Sequence, residues 1–263
     1  MKRHFVTGLN ALAVFVVLVG LWQVLVWSLN VPPYVLPAPL QVAETIGARF
    51  AGLVGSLLIT TEAAGVGLAM SIVAGVAIAL VFAQSPWLRR MLYPYTILLQ
   101  TVPIIAVAPL ILMWVGSGTW AVTLVAFIIC LAPIIANTTQ GLISVDRNLI
   151  DLFLMHKASR AQILFKLRLP HAMPNLFVGI RISAGISVIG AITGELFAGS
   201  SRVGQGGLGY SILYASAQLQ TAYLFALVIA ATVLGFTFFF LVMFVEWYFL
   251  HNWHESTRPA EAE

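Results

Sequence analysis

The sequence contains very little charge. Only 8% of its 263 residues are Asp, Glu, Lys or Arg, whereas a soluble domain has about 25%. Hydrophobic residues make up 60% of the chain, against roughly 45–50% in a soluble domain. This composition excludes a soluble globular protein, a disordered chain and a disulfide scaffold. It predicts a membrane protein with several spans.

Cysteine is almost absent. Cys130 is the only one and lies inside an apolar run, so the chain has no intrachain disulfide and its redox compartment cannot be inferred. Of the five histidines, only His251 and His254 stand at a spacing suited to a metal, and a pair near the end of a chain is more simply explained as part of the surface. No nucleophile stands near a base. The sequence therefore predicts no metal ligands and no catalytic residues.

Six apolar stretches are long enough to cross a bilayer, which takes about 20 residues of helix. They lie at 10–29, 64–83, 92–115, 119–140, 175–198 and 221–249. The first stretch is too long for a signal peptide, and no cleavage site of small residues follows it, so we expect it to be retained. The sequence therefore predicts an all-α, polytopic membrane protein with six transmembrane helices.

The basic residues predict the orientation of the chain. Of the 13 Lys and Arg residues, only Arg49 and Arg202 lie on the side opposite the N-terminus. Because Lys and Arg accumulate in cytoplasmic loops, both termini are predicted to be cytoplasmic. The net charge of +4 is thus explained by topology, and no nucleic-acid partner is expected.

Three regions follow from this topology. They are a first span with an outer proline-rich segment (1–55), a transmembrane domain (56–249) that contains one large cytoplasmic loop (141–174), and a cytoplasmic tail (250–263). In the outer segment Pro39 suits the first turn of a helix. An amphipathic surface helix is expected there, with one apolar face formed by Leu40, Ala43, Ile46 and Phe50; an ordinary connector is the alternative.

The second predicted span carries small residues at every fourth position: Gly67, Ser71, Gly75 and Ala79. Such a stripe lets another helix approach closely. The pattern does not decide whether that helix belongs to the same chain or to a second subunit.

The loop 141–174 contains signals for two helices. The stretch from Asn148 to Met155 is rich in apolar residues, and Ser159 stands three residues before Gln162, as in a capping box. A second helix is predicted from Arg160 to about Leu169, where Pro170 should stop it. The apolar face of this helix pair requires cover, either from the chain's own spans or from a cytoplasmic partner.

The segment DLFLMHKASRAQILFKLRLPHAMP, from Asp151 to Pro174, resembles the EAA loop of permease subunits of binding-protein-dependent ABC importers. That motif has Glu-Ala-Ala, then a glycine, Ala-Ser, a helix, and Leu-Pro-x-Ala-x-Pro. Here Asp151 replaces the glutamate and Lys157 stands in place of the glycine. A left-handed lysine costs roughly 1–2 kcal/mol, so either the turn differs or docking offsets the strain.

Other family landmarks occur in the same order, and the resemblance covers nearly the whole chain: Leu36-Pro37-Ala38-Pro39, Gln100-Thr101-Val102-Pro103, Ala108-Pro109, Gly194-Glu195 and Gly207-Leu208-Gly209. Within the family, the chain looks most similar to the group for nitrate, sulfonate, taurine, pyrimidine precursors and riboflavin. The resemblance implies the type I ABC importer permease fold. It also implies a substrate that is a small anion, or a heteroaromatic vitamin or its precursor.

The resemblance further implies a homodimer of permeases, two ATPase subunits, a solute-binding protein, and the cytoplasmic or inner membrane of a bacterium or archaeon. Residues 146–166 would then couple ATP hydrolysis to transport. The coupling residues it implies are Asp151, His156, Lys157, Ala158, Ser159, Arg160 and Gln162. An ATP-independent channel or secondary carrier is the alternative, and it leaves the capped loop unexplained.

The chain lacks the pattern of a P-loop. Its closest approach, from Gly199 to Gly204, is followed by Gln205 instead of lysine, so ATP and Mg²⁺ are expected to be used by the partner ATPase, with no cofactor in this chain. The run from Gly204 to Gly209 matches GxGxxG, but it follows a membrane span and no βαβ unit accompanies it. The run is therefore interpreted as an outer turn, and Gly207 and Gly209 are candidate residues of a gate.

Ionisable residues inside spans are candidates for function. Glu195, near the outer end of the fifth span, is expected to line the exit, to hold a gate, or to be hydrogen-bonded between helices. Arg181 is expected to extend to the lipid headgroups, since it stands 14 residues from Glu195 and cannot pair with it on one helix. Glu62 and Glu246 are placed at the interfaces.

Overall fold

A computed structural model describes residues 2–198 and 206–251, with side chains from Ala13 onward. Within these ranges all regular elements are helices, so the all-α prediction is confirmed. In chain order the elements are α1 (Lys2–Ser28), α2 (Pro39–Ala48), α3 (Phe50–Gln84), α4 (Pro86–Thr101), α5 (Ile104–Val115), α6 (Thr119–Ile143), α7 (Arg147–Met155), α8 (Arg160–Ile163), a π-helical turn (Leu164–Arg168), α9 (Leu169–Ala198), α10 (Leu208–Ala217) and α11 (Thr221–Leu250).

In the described part of the chain, four helices are long and apolar enough to cross a membrane: α3, α6, the continuous stretch Arg160–Ala198, and α11. The bent pair of α4 and α5 gives a fifth span if the two helices cross together. The apolar part of α1 with described side chains, Ala13–Ser28, is shorter. The structure therefore supports four or five of the six predicted spans. The first predicted span, 10–29, stays a prediction.

The third predicted span, 92–115, is not one straight helix. Its two parts are α4 and α5, and the chain bends by 101° between them. Val102 is extended, with φ −67° and ψ 122°, because the ring of Pro103 disfavours the helical conformation in the residue before it. Pro103 also lacks the N–H that would continue the ladder of hydrogen bonds. The apolar pattern shows the length of such a stretch and not its bend.

The expected stop at Pro170 is wrong, because the helix continues from Arg160 to Ala198. The π-helical turn Leu164–Arg168 explains how it passes the proline. The N–H of Leu169 donates to the carbonyl of Leu164, five residues back, so the turn is wider than in an α-helix and leaves room for the Pro170 ring. The second loop helix and the following span thus form one rod.

The stripe of small residues packs α3 against α6 within the chain, which decides between the two alternatives. The Ser71 hydroxyl donates to the carbonyl of Phe127 at 2.7 Å. A Cβ added to Gly67 would lie 2.8 Å from that of Ala126, and one added to Gly75 would lie 2.7 Å from Cγ2 of Ile134. Larger side chains at these positions would force the helices apart, so the stripe determines their close approach.

The predicted outer helix exists as α2, with Pro39 in its first turn. Its predicted face is wrong at three of its four residues, since Leu40 is 64% exposed, Phe50 is 61% exposed and Ala43 is also exposed. Ile46 is half-buried as predicted, and Val42, which lay outside the predicted face, is buried. Val42 and Ile46 stand one turn apart and join the apolar cluster that includes Tyr223 of α11. Packing against α11 therefore buries a face of α2 that differs from the face predicted from the sequence spacing.

Candidate functional site

The loop 141–174 contains α7, which is capped at both ends. The Asp146 carboxylate accepts a hydrogen bond from the N–H of Asn148 at 2.9 Å, which satisfies a free amide of the first turn. At the other end, the N–H of Lys157 donates to the carbonyl of Leu154 at 2.9 Å. The N–H of Ala158 donates to that of Phe153 at 3.0 Å. These two bonds form a Schellman motif, which ends a helix with a left-handed residue.

That left-handed residue is Lys157, whose φ is +56°. The position therefore keeps the conformation that glycine would adopt there, and the alternative that the turn differs is wrong. A side chain in this region costs roughly 1–2 kcal/mol, because its Cβ approaches the following carbonyl. The offset of this cost by docking remains a prediction.

The structure confirms the capping box at the start of α8. Ser159 Oγ accepts from the N–H of Gln162 at 3.2 Å, and Gln162 Oε1 accepts from the N–H of Ser159 at 2.7 Å. The two side chains satisfy each other's backbone amides and fix where the rod begins. The turn of the loop is therefore rigid on both sides of Ala158.

The apolar face of the loop divides into two parts. Ile163 and Leu164 are buried against the chain's own helices, whereas Leu154 is 54% exposed, Met155 81% and Phe165 60%. Large apolar side chains grouped on an exposed surface indicate an interaction site. Among the predicted coupling residues Ala158 is half-buried, and the others are exposed: Asp151, His156, Lys157, Ser159, Arg160 and Gln162.

The second candidate site is a set of hydrogen bonds at the C-terminal end of α9, which we call the Glu195 cluster: Thr60, Glu195, Gly207, Leu208 and Gly209. Glu195 is 4% exposed, and its carboxylate accepts from the N–H of Gly209 at 2.8 Å and from the hydroxyl of Thr60 at 2.9 Å. The N–H of Leu208 donates to Thr60 Oγ1 at 2.8 Å. Three helices, α3, α9 and α10, thus meet at one carboxylate.

The Glu195 cluster caps α10 from outside that helix. The amides of Leu208 and Gly209 lie in the first turn of α10, where amides have no partner within their own helix. The N-cap residue is Gly207, which has no side chain to accept from them. Thr60 and Glu195 take that role, and the negative carboxylate also faces the positive end of the helix dipole.

The two glycines make this contact possible. A Cβ on Gly207 would collide with the Glu195 carboxylate. A Cβ on Gly209 would collide with the carbonyl of Ile192 and lie 2.8 Å from Cβ of Glu195. The three residues predicted from the sequence, Glu195, Gly207 and Gly209, therefore lie in direct contact in the structure.

Sequence reasoning missed the partners of Glu195. Thr60 is fully buried, and one turn before it Ser56 forms a hydrogen bond of 2.8 Å with Ser211 of α10. The available signal was the position of Ser56 and Thr60, which extend the small and polar side of α3 toward the outer surface. Their partners are more than 100 residues away in the chain, so spacing along one helix could not identify them.

The expectation for Arg181 is corrected. Its guanidinium does not simply extend to the headgroups but forms an ion pair with Glu246, which joins α9 to α11. The two side chains are 32% and 18% exposed. The sequence could test only the pairing of Arg181 with Glu195, because residue spacing along one helix does not predict a contact between two separate spans.

Some predictions lie outside the described residues: the stretch Gly199–Gly204 that lacks a P-loop lysine, the outer Arg202, and His254. Within residues 2–198 and 206–251, no group of three or more His, Cys, Asp or Glu side chains converges as metal ligands would.

Comparison with known proteins finds a family of transport proteins. Residues 71–249 match the model of the binding-protein-dependent transport system inner membrane component. The chain is 30% identical over 236 residues to a formylaminopyrimidine transport permease, ThiX, of Halalkalibacterium halodurans, covering 89% of this chain and 92% of that one. It is 35% identical over 189 residues to a riboflavin permease, RibX, of Chloroflexus aurantiacus, covering 71% and 70%.

Other matching relatives are named as permeases for aliphatic sulfonates, taurine and nitrate, so the group suggested by the sequence is confirmed. Among solved structures, a chain of the MetNI methionine ABC transporter in an inward-facing conformation matches with a TM-score of 0.63 and 20% identity. The match covers 76% of this chain and 96% of that one. At this identity the likeness shows the fold, that of a type I ABC importer permease.

Proposed function

The chain belongs to the family of binding-protein-dependent transport system inner membrane components, and we propose that it acts as one of two identical permease subunits of an ATP-driven importer. A permease of this family works in the membrane, and ATP hydrolysis belongs to a separate subunit. The observation that carries the proposal is the capped loop, whose exposed apolar side chains are mounted on a rigid rod that enters the membrane.

The loop is proposed to dock on the ATPase and to couple ATP hydrolysis to transport. Its exposed carboxylate at Asp151 and its most exposed apolar residue, Met155, would contact the partner. The Lys157 turn and the capping box of Ser159 and Gln162 keep the two helices in one geometry. A stiff helix pair transmits motion as a body, which a flexible connector does not. ATP and Mg²⁺ would act in the partner.

The Glu195 cluster is proposed to close the outer end of the solute path. It holds α10 against α3 and α9 through hydrogen bonds that a small helix movement would break. Breaking them would release α10 from α3 and α9. Glu195, Gly207 and Gly209 are therefore the proposed gate residues, and Thr60 joins them.

The proposed substrate is a small anion, or a heteroaromatic vitamin or its precursor, delivered by a solute-binding protein. Support comes from the similar proteins, which are named as permeases for formylaminopyrimidine, riboflavin and aliphatic sulfonates. Both termini and the loop 141–174 are proposed to face the cytoplasm, since all but two of the Lys and Arg residues lie on that side.

The test is co-purification of the ATPase. The full chain, tagged at its C-terminus, is purified in mild detergent from native membranes, and ATP hydrolysis and transport are measured. We expect Asp151→Asn and Met155→Glu to lose the ATPase and transport, because they change the exposed docking face. The matched control is Glu44→Gln, which alters an exposed carboxylate of α2 on the opposite side.

Retention of the ATPase and normal transport by both loop variants would contradict the proposed docking site. A wild-type chain that purifies as a stable oligomer without ATPase and transports without ATP would instead indicate a channel or secondary carrier.

A further inference from the structure

A cavity of about 580 Å³ opens at the end of the molecule that carries the loop. It lies between the ends of α3 and α6, the start of α4, and the loop helices α7 and α8. Three arginines line it, Arg89 of α4, Arg160 of α8 and Arg168 of the π-helical turn, and none of its lining residues is acidic. Three guanidinium groups at one cavity without a carboxylate create a strongly positive site.

Arg168 is only partly satisfied in this cavity. One of its terminal nitrogens donates to the carbonyl of Ala83 at 3.0 Å, which fixes the side chain against α3. Its Nε is buried and has no hydrogen-bond acceptor among the described residues. A buried donor without a partner is unfavourable, so an occupant with an acceptor oxygen would be favoured here. Phosphate oxygens match the planar fork of donors of arginine.

The rest of the lining is mostly apolar, with Ile143, Ile150, Leu154, Ile163 and Leu164 as its large side chains. A free inorganic anion would gain nothing from these walls, whereas a molecule with a phosphate and hydrocarbon would contact both. The neighbouring Trp87 is 67% exposed at the start of α4. Because tryptophan at the end of a membrane helix is typical of the headgroup layer, the nearby Arg89 is expected close to the lipid phosphates.

We propose that this cavity binds the phosphodiester headgroup of an anionic phospholipid from the cytoplasmic leaflet, with the glycerol and the first part of the acyl chains against the apolar wall. Basic pockets between membrane helices on the cytoplasmic side bind such headgroups. The inference rests on the cytoplasmic orientation in the proposed function. Arg160 begins the second loop helix and Arg89 lies in the first turn of α4, so the lipid would link the loop to a membrane helix.

The test measures lipid retention by the full-length chain in detergent, using native mass spectrometry. Phosphatidylglycerol and phosphatidylcholine with the same acyl chains are offered to wild type, to Arg89→Gln and to Arg90→Gln. Arg90 is the matched control, because it stands next to Arg89 on the same helix, is exposed, and does not line the cavity. Each variant removes one positive charge, so nonspecific attraction changes equally.

We expect wild type and Arg90→Gln to retain phosphatidylglycerol in preference to phosphatidylcholine, and Arg89→Gln to lose about fivefold of that retention. Inorganic phosphate at the same concentration should not displace the lipid. Equal loss in both variants, equal retention of the two lipids, or displacement by phosphate would overturn the proposal. So would unchanged lipid retention by Arg89→Gln with loss of the ATPase, since the cavity would then hold an acidic segment of that protein.

Lipid retention is measured without the ATPase, so failure of the proposed coupling does not remove this readout. The orientation is checked separately by labelling a cysteine introduced at residue 166 in intact cells. Accessibility from outside would contradict the proposed topology even if the cavity still retained lipid.

Discussion

Replacing Glu195 by alanine should loosen α10 from the rest of the molecule. The carboxylate accepts from Gly209 N–H at 2.8 Å and from the Thr60 hydroxyl at 2.9 Å, and it is almost fully buried. In Glu195→Ala the amide of Gly209 has no replacement acceptor. Thr60 is less affected, because its hydroxyl can still donate to the carbonyl of Ser56 at 3.2 Å.

The magnitude follows from this difference. One orphaned buried amide costs about 1–3 kcal/mol, and loss of a charge at a helix start adds roughly 0.3–1 kcal/mol. We therefore expect Glu195→Ala to reduce the free energy of unfolding by about 2–3 kcal/mol. Glu195→Gln keeps an acceptor for Gly209 and can donate its amide to Thr60, so it should lose only about 1 kcal/mol.

The assay is equilibrium unfolding of the purified full-length chain in mixed micelles, followed by tryptophan fluorescence. Glu62→Ala is the matched control, since Glu62 is exposed and stands two residues from Thr60 on the same helix. Its unfolding free energy should equal that of wild type within about 0.5 kcal/mol. If Glu195→Ala is as stable as Glu62→Ala, the carboxylate does not cap α10 and the gate loses its physical basis.

Two further predictions concern the loop and the ion pair. Lys157→Gly should stabilise the isolated chain by about 1 kcal/mol, because glycine adopts the positive φ without strain. Hydrogen exchange of the loop amides measures this change. Faster exchange than in wild type would show that the lysine turn is unstrained. Arg181→Leu or Glu246→Leu alone should cost about 2 kcal/mol, below the ~3–5 kcal/mol of a fully buried pair since both side chains are partly exposed. The double variant should recover most of that loss in the same unfolding assay, and additive losses would show that the two charges do not interact.

The features predicted correctly from the sequence are local ones. The capping box of Ser159 and Gln162 depends on residues three positions apart, so the letters alone specify it. The bounds of α6 and α11 agree with the predicted spans to within three residues, because the bilayer thickness sets their apolar length, whereas α3 begins at Phe50, 14 residues before the predicted span. At Lys157 the family glycine suggested a left-handed residue, but the sequence left open whether the turn differs; the backbone, with a φ of +56°, decides for the left-handed conformation.

The features that were missed depend on contacts between distant segments. The break at Pro103 and the passage through Pro170 involve the same residue type with opposite results. Before Pro170 a π-helical turn continues the helix, with the N–H of Leu169 donating to the carbonyl of Leu164. No local sequence pattern predicts this turn. The partners of Glu195 and of Arg181 belong to other helices, and only the packing of the described residues brings them together.

The two candidate sites lie toward opposite ends of one helix. The stretch Arg160–Ala198 begins at the capping box and carries Glu195 in its last turn, so its 39 residues span about 58 Å at 1.5 Å per residue. A tilt of about 3° around its midpoint would move either end by about 1.5 Å, which is enough to lengthen a 2.8 Å hydrogen bond beyond bonding distance. In the proposed mechanism, movement of the loop by the ATPase would therefore reach the Glu195 cluster as a tilt of this continuous helical stretch. Because a flexible joint would absorb so small a tilt, the stiffness given by the Lys157 turn and the Ser159 cap is as important to this mechanism as the docking contact itself.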